Sequence, residues 1–209
     1  VIGTDASDYE RLTLAHELGH NLSLGHGAWL DCSSGTPTFT GPTDLGGCST
    51  GSGYGDVTDT MGGAGYNANG GALSSPSAIR AGIWAASAST KAKSGTTKTY
   101  TLNSVSGNKG LRSVIVQDTT GVEYFVEFRD YTDEDAPYQN IPCPGASPHT
   151  AACGPAGTDQ VRVLRFEQNA YGYEPIFGDD TLLIGRTVGG VKRAGYVAGE
   201  SFTQSSGLK

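Results

Sequence analysis

Apolar residues recur at every fourth position near the start of the chain. Leu14, Leu18 and Leu22 lie in "SDYERLTLAHELGHNL" (7–22), and this spacing predicts a helix with a leucine stripe turned to the core. Ser7 and Glu10 form the S-x-x-E pattern of a capping box at its start. From Ser23 to about Gly71 the periodicity is lost, and clusters such as "GPTDLGGCSTGSGYGD" predict a long loop. Irregular stretches of that length in compact domains commonly carry function. "SSPSAIRAGIWAAS" (74–87) predicts a second helix, with Ser75 as N-cap and Pro76 at the first helical position, where a missing N–H costs nothing.

After Lys93 the period changes from four to two. "KTYTL", "LRSVIVQD", "GVEYFVEFRDY", "VRVLRFEQ", "DTLLIG" and "AGESFTQ" are short β-branched or aromatic runs separated by Gly-rich turns. In the third, Val122, Tyr124, Val126 and Phe128 face one way, while Glu123, Glu127 and Arg129 face the other. The expected fold class is therefore α+β. Residues 1–93 form a unit of two helices and loops, and 94–209 a β-rich domain, antiparallel and sandwich-like.

Composition narrows the classes open to it. The 209 residues suffice for one large domain or two small ones, and 36% hydrophobic against 17% charged residues excludes a disordered acidic chain. A net charge of -7 without a basic stripe argues against nucleic acid or an anionic membrane as main partner. No apolar run approaches the roughly 18 residues of a membrane span. The chain opens on Val1 without a signal-peptide pattern, as a mature product or a fragment does. Four cysteines fall into two local couples, Cys32 with Cys48 and Cys143 with Cys153, in loop-like surroundings. Two disulfides and an oxidising, extracellular compartment are expected; other pairings stay open, and the lack of CxxC weighs against metal ligation by cysteine.

The candidate chemistry lies in "HELGHNLSLGH" (16–26), which holds three of the four histidines. His16 and His20 share a helix face at i, i+4 and can hold one zinc ion. Glu17 follows the first of them and can take a proton from a metal-activated water. His26, six residues on, can join only if the chain turns sharply, which Asn21 and Gly25 permit. Three neutral nitrogens leave a fourth position for water, the catalytic pattern. Downstream, "YGDVTDTMGG" carries Met61, the sole methionine, in a run suited to a tight turn.

Together these residues resemble the metzincin zinc endopeptidases, with H-E-x-x-H-x-x-G-x-x-H and a Met-turn. The order of zinc motif, cysteine loop, "YGDVTDTMG", "SPSAIRAGIW" helix and β-domain is similar to the gametolysin-like branch. The resemblance implies a lower catalytic subdomain in 1–93 with His16, His20 and His26 on zinc, Glu17 as general base and Met61 as floor. It also implies a substrate pocket near Gly62, Gly63 and Tyr66, and a protein substrate such as a cell-wall or matrix glycoprotein. Ser23 stands where the family motif has Gly, so a left-handed or bridge conformation costing roughly 1–2 kcal/mol is expected there. Only 15 residues precede His16, where the family has an upper subdomain, so a missing N-terminal segment or companion chain is expected.

Other features are weighed against simpler readings. Asp130, Asp133, Glu134, Asp135, Asp179 and Asp180 offer oxygen ligands that suit calcium, but their spacing matches no EF-hand loop and a solvated acidic loop is preferred. Asp56 and Asp59 either hydrogen-bond a ligand histidine or cap the turn. His149 reads as an exposed loop residue. The functional alternative is a non-catalytic zinc-bearing fragment whose β-domain binds glycan or protein.

Overall fold

The computed structural model describes residues 8–32, 37–41, 43–50, 53–63, 71–93, 95–130, 132–133, 135–136, 159–167, 180–188 and 191–203. Its elements in chain order are α1 (Asp8–Asn21), β1 (Gly27–Asp31), β2 (Ser49–Thr50), α2 (Ser75–Arg80), β3 (Ser89–Lys91), β4 (Ser113–Gln117), β5 (Glu123–Arg129), β6 (Gln160–Glu167), β7 (Asp180–Val188) and β8 (Val191–Arg193). The strands form one eight-stranded mixed sheet in the order β2-β1-β7-β6-β5-β4-β3, with β8 paired to β7. The α+β class holds. Among the described residues no helix is long and apolar enough to cross a membrane.

Among the described residues the strands lie in this single sheet, not in two facing ones. Strands β4 to β8 pair antiparallel, but β1 runs parallel to β7 and β3 parallel to β4. Strand β1 comes from the first expected unit and β7 from the second, so one sheet crosses the 93/94 boundary. Among the described residues its faces are covered by other elements. The 56–63 turn and α2 lie over one, and Phe39 with the Cys32–Cys48 disulfide lies over the other.

The register aligns Trp29, Leu183, Leu164, Phe125 and Ile115 in one row across five strands. These side chains share a face because alternate residues of a strand point the same way. Gly185 clears space for this row, since a Cβ there would lie 1.8 Å from the Trp29 ring. On the opposite face Ala28, Leu30, Leu182, Ile184, Val163 and Tyr124 form the second apolar cluster.

Several expectations are corrected. "GAWLD" is a strand inside the stretch read as loop; it is buried on both faces and shows no alternation. "KTYTL" forms no strand, and neither do the described residues of "AGESFTQ". Helix α2 stops at Arg80, and Gly82 then takes a positive φ of 68°. Its N-cap is Ser74, not Ser75, and the Ser75 N–H donates instead to the Glu127 carboxylate at 2.7 Å.

The largest correction concerns α1. Leu14, Leu18 and Leu22 are 36%, 52% and 49% exposed, whereas His16 is 6% exposed and Gly19 is buried. The helix turns its histidine face inward and its leucine stripe outward. Gly19 permits this, because a Cβ there would meet the Met61 sulfur at 2.3 Å. A leucine on that face could not approach the turn so closely. The expected capping box includes Ser7, outside the described residues.

Candidate metal centre

Helix α1 places His16 and His20 one turn apart, as the i, i+4 spacing predicts. The chain then reverses in a Schellman-type cap. Leu24 N–H donates to the Gly19 carbonyl at 3.1 Å and Ser23 N–H to that of His20 at 3.0 Å. Ser23 sits between them at φ 60°, the left-handed conformation expected of this position. This turn brings His26 back to the helix. The three rings are 4.8, 5.5 and 4.9 Å apart between centroids, and one nitrogen from each lies within 4.8 Å of the other two. Among the described residues this is the one group of three or more histidine, cysteine or acidic side chains that could hold a metal ion.

The tautomers suit that role. His16 Nδ1 donates to the Thr60 carbonyl and His20 Nδ1 to the Leu24 carbonyl, both at 2.9 Å. A carbonyl oxygen only accepts, so each Nδ1 carries the proton and each Nε2 keeps its lone pair for a ligand. Such outer bonds also fix ring orientation. Burial, then the charges of His20 and His16, lower the His26 pKa to about 4, so this ring is neutral near pH 7, as ligation requires. The donor set therefore fits a divalent transition ion.

The floor of the site is the 56–63 turn. Met61 is fully buried beneath Gly19, and its N–H donates to Asp59 Oδ1 at 2.8 Å. Asp59 Oδ2 accepts the Ser74 N–H at 3.1 Å, while Asp56 accepts Thr58 N–H and Oγ1–H at 3.1 and 2.8 Å. Asp56 and Asp59 thus cap the turn, and the bonds they make here run to main chain, threonine and arginine. Gly62 and Gly63 are buried against Asp56 and Val57, in the turn itself. Glu17 is exposed on α1 beside His16.

Two arginines of the sheet hold this turn. Arg129 on β5 donates to the Thr58 carbonyl at 3.0 Å and to Asp135 at 2.6 Å, and pairs with Glu127 at 3.2 Å. Arg162 on β6 bonds Asp56 and the Thr58 hydroxyl and lies 3.4 Å from Glu127. All these charged side chains are buried. Burial opposes the charge on Arg129, but Asp135, Glu127, Asp56 and Asp59 outweigh it and raise its pKa. Burial, then Asp56, raises Asp59 to about 6.

Among the described residues the other acidic side chains do not gather into one site. Asp130 caps Thr132, Asp135 pairs with Arg129, and Asp180 accepts the His26 N–H at 2.8 Å. Asp133 is exposed at a φ of 48°. Cys32–Cys48 is a disulfide, compatible with an oxidising compartment. Tyr66, Cys143, His149, Cys153, Glu134 and Asp179 lie outside the described residues.

Sequence reasoning missed Tyr54, whose ring lies 4.2 Å from that of His26 and 5.8 Å from that of His16. It also missed Gly19, for which there was a signal: a glycine inside a helix costs about 1 kcal/mol and calls for a packing reason. No protein-family model, curated protein or solved structure matches this chain.

Proposed function

We propose that this protein is a secreted zinc endopeptidase of metzincin type, of the gametolysin-like branch. The observation that carries the reading is the convergence of His16, His20 and His26, with Nδ1 of the first two tied to carbonyls. His16, His20 and His26 would hold the ion. A divalent ion so held acts as a Lewis acid and lowers the pKa of water toward about 7. Glu17, next to His16 and open to solvent, takes a proton from the attacking water and delivers it to the leaving amine. Met61 packs beneath the helix and does not touch substrate. In this proposal Gly62 and Gly63 support the wall of the pocket for the side chain after the cut, and an extracellular glycoprotein is the substrate class.

A second polypeptide segment completes the cleft in this proposal. The outward stripe of Leu14, Leu18 and Leu22 supports it, because exposed apolar runs mark interaction surfaces. One observation favours the alternative of a non-catalytic zinc-bearing chain. A cleft of about 680 Å³ lined by Val126, Phe128, Val161, Tyr196 and Phe202 opens on the opposite face of the sheet and offers a binding surface.

The test is zinc stoichiometry and peptide hydrolysis, with and without chelator, for the wild type and Glu17→Ala. One zinc and chelator-sensitive cleavage, abolished in Glu17→Ala with zinc retained, is the expected result. One zinc without cleavage, with or without a companion segment, selects the alternative. A folded protein that takes up no zinc removes both.

A further inference from the structure

We propose that Asp180 is a positioning residue for the third histidine of the metal centre. The inference rests on the reading of His16, His20 and His26 as metal ligands. His26 lies beyond the helix, so its imidazole goes where the main chain at 26–27 is held. That main chain is clamped from two sides. The His26 N–H donates to Asp180 Oδ1 at 2.8 Å, and the His26 carbonyl accepts the Thr181 N–H at 2.9 Å. From the other side, the Gly27 N–H donates to the Met61 carbonyl at 2.8 Å, and the Gly27 carbonyl accepts the Asp56 N–H at 3.0 Å.

The first pair comes from the opening residues of β7, with Asp180 154 positions from His26. Thr181 is itself pinned, its Oγ1 lying 3.1 Å from Ser77 Oγ on α2. The parallel β1–β7 ladder starts at Gly27 and Thr181. One residue before that start, a carboxylate takes the His26 amide. A backbone N–H held at 2.8 Å by a side-chain oxygen fixes the main chain that carries the imidazole. The last long strand thereby sets the third ligand against the two on the helix.

The test is titration of the full chain with cobalt(II) and zinc against a chromophoric chelator, for wild type, Asp180→Ala and Asp180→Asn. Urea unfolding of the metal-free proteins runs alongside. Asp180→Ala is expected to lose about tenfold in affinity for both ions, as outer-shell changes do, and to alter the cobalt visible bands that report ligand geometry. Asp180→Asn keeps an oxygen acceptor and is expected within about threefold of wild type, because the bond matters more than the charge. The Asp180→Asn midpoint is expected near the wild-type value and that of Asp180→Ala somewhat below it, with the protein still folded.

Wild-type affinity and spectrum in Asp180→Ala overturn the proposal and leave the metal centre standing. So does an Asn variant as damaged as Ala. A wild type that binds neither ion removes the metal centre and this proposal with it. Should Asp180→Ala fail to fold, hydrogen exchange at the His26 amide of the wild type decides: protection supports the anchor, and exchange at the free-peptide rate overturns it.

Discussion

On one face of the sheet, Leu30, Tyr124, Val163, Leu182 and Ile184 meet Phe39 and the Cys32–Cys48 disulfide. On the other, the row from Trp29 to Ile115 gives way within four residues to Glu127, Arg129 and Arg162, and the two arginines reach into the turn beneath the histidines. Both faces carry buried clusters, but their physics differs. Apolar contacts are non-directional and tolerate small shifts of what they cover. Buried ion pairs stabilise only with good geometry, and then they fix it. The Phe39 face is mainly apolar, its buried Arg165 stacked on the Phe39 ring and bonded to the Asp44 carbonyl; the face that positions the candidate site carries the linked ion pairs. Directional bonding is concentrated where the turn must be held in one place.

The strongest attempt to break this contrast is Arg129→Met. It leaves Asp135, Glu127 and the Thr58 carbonyl without their cation, a change that costs about 3–5 kcal/mol in buried pairs. Because the same arginine holds the turn that carries Met61 and the Thr60 carbonyl, zinc affinity should fall as well. Urea unfolding and zinc titration read the two effects. A variant that loses stability but keeps wild-type affinity would reduce the charged face to ordinary scaffolding.

Leu182→Ala supplies the matching experiment on the oily face. Its fully buried side chain leaves a cavity, with an expected loss of about 2–4 kcal/mol. Zinc affinity of the folded fraction should stay within twofold. An affinity loss equal to that of Arg129→Met would show that the two faces do not divide the work.

How far the sequence disclosed this contrast depends on which signal each residue leaves. The alternation of Val122 to Arg129 marks β5 and separates its faces correctly. It also marks Glu127 and Arg129 as polar, and therefore reads as solvent-facing; only the fold shows that they meet Arg162, Asp56 and Asp135. The His16–His20 spacing likewise reveals a shared helix face, but not that this face turns inward and displaces Leu14, Leu18 and Leu22. Periodicity reports that a stripe exists and is silent about its partner. Strand β1 left no periodic trace because both its faces are covered, and Asp180 left none because its partner lies 154 residues away.

Acidity sharpens the comparison further. Four buried carboxylates, Asp56, Asp59, Glu127 and Asp135, face two buried arginines, and the surplus is eased by raising Asp59 to about 6. An unfolded aspartate titrates near 3.8. Between those values the folded state holds a proton that the unfolded state has lost. The Asp59 contribution is therefore fully present below about 3.8 and is lost as pH rises through about 6. Asn cannot titrate, so wild type should gain about 1 kcal/mol on Asp59→Asn between pH 7.5 and 5 in urea unfolding. The Leu182→Ala deficit should not change over that interval. A flat wild-type minus Asp59→Asn difference would mean that Asp59 is ionised throughout.

The smallest expected effect lies at Ser23, which neither face of the sheet controls. Its φ of 60° is a conformation glycine adopts freely and serine does not, and its exposed side chain meets no packing demand that glycine would forfeit. Ser23→Gly removes the strain but enlarges the freedom of the unfolded chain, so the net gain should be about 0.5–1 kcal/mol. Zinc affinity should not change, because the Leu24 N–H to Gly19 and Ser23 N–H to His20 bonds already set the path from the second histidine to the third. A rise in affinity with stability would show that strain in this turn holds His26 short of its place. An unchanged affinity leaves that placement to the Asp180 and Thr181 clamp on one side and the Met61 turn on the other, neither of which the substitution touches.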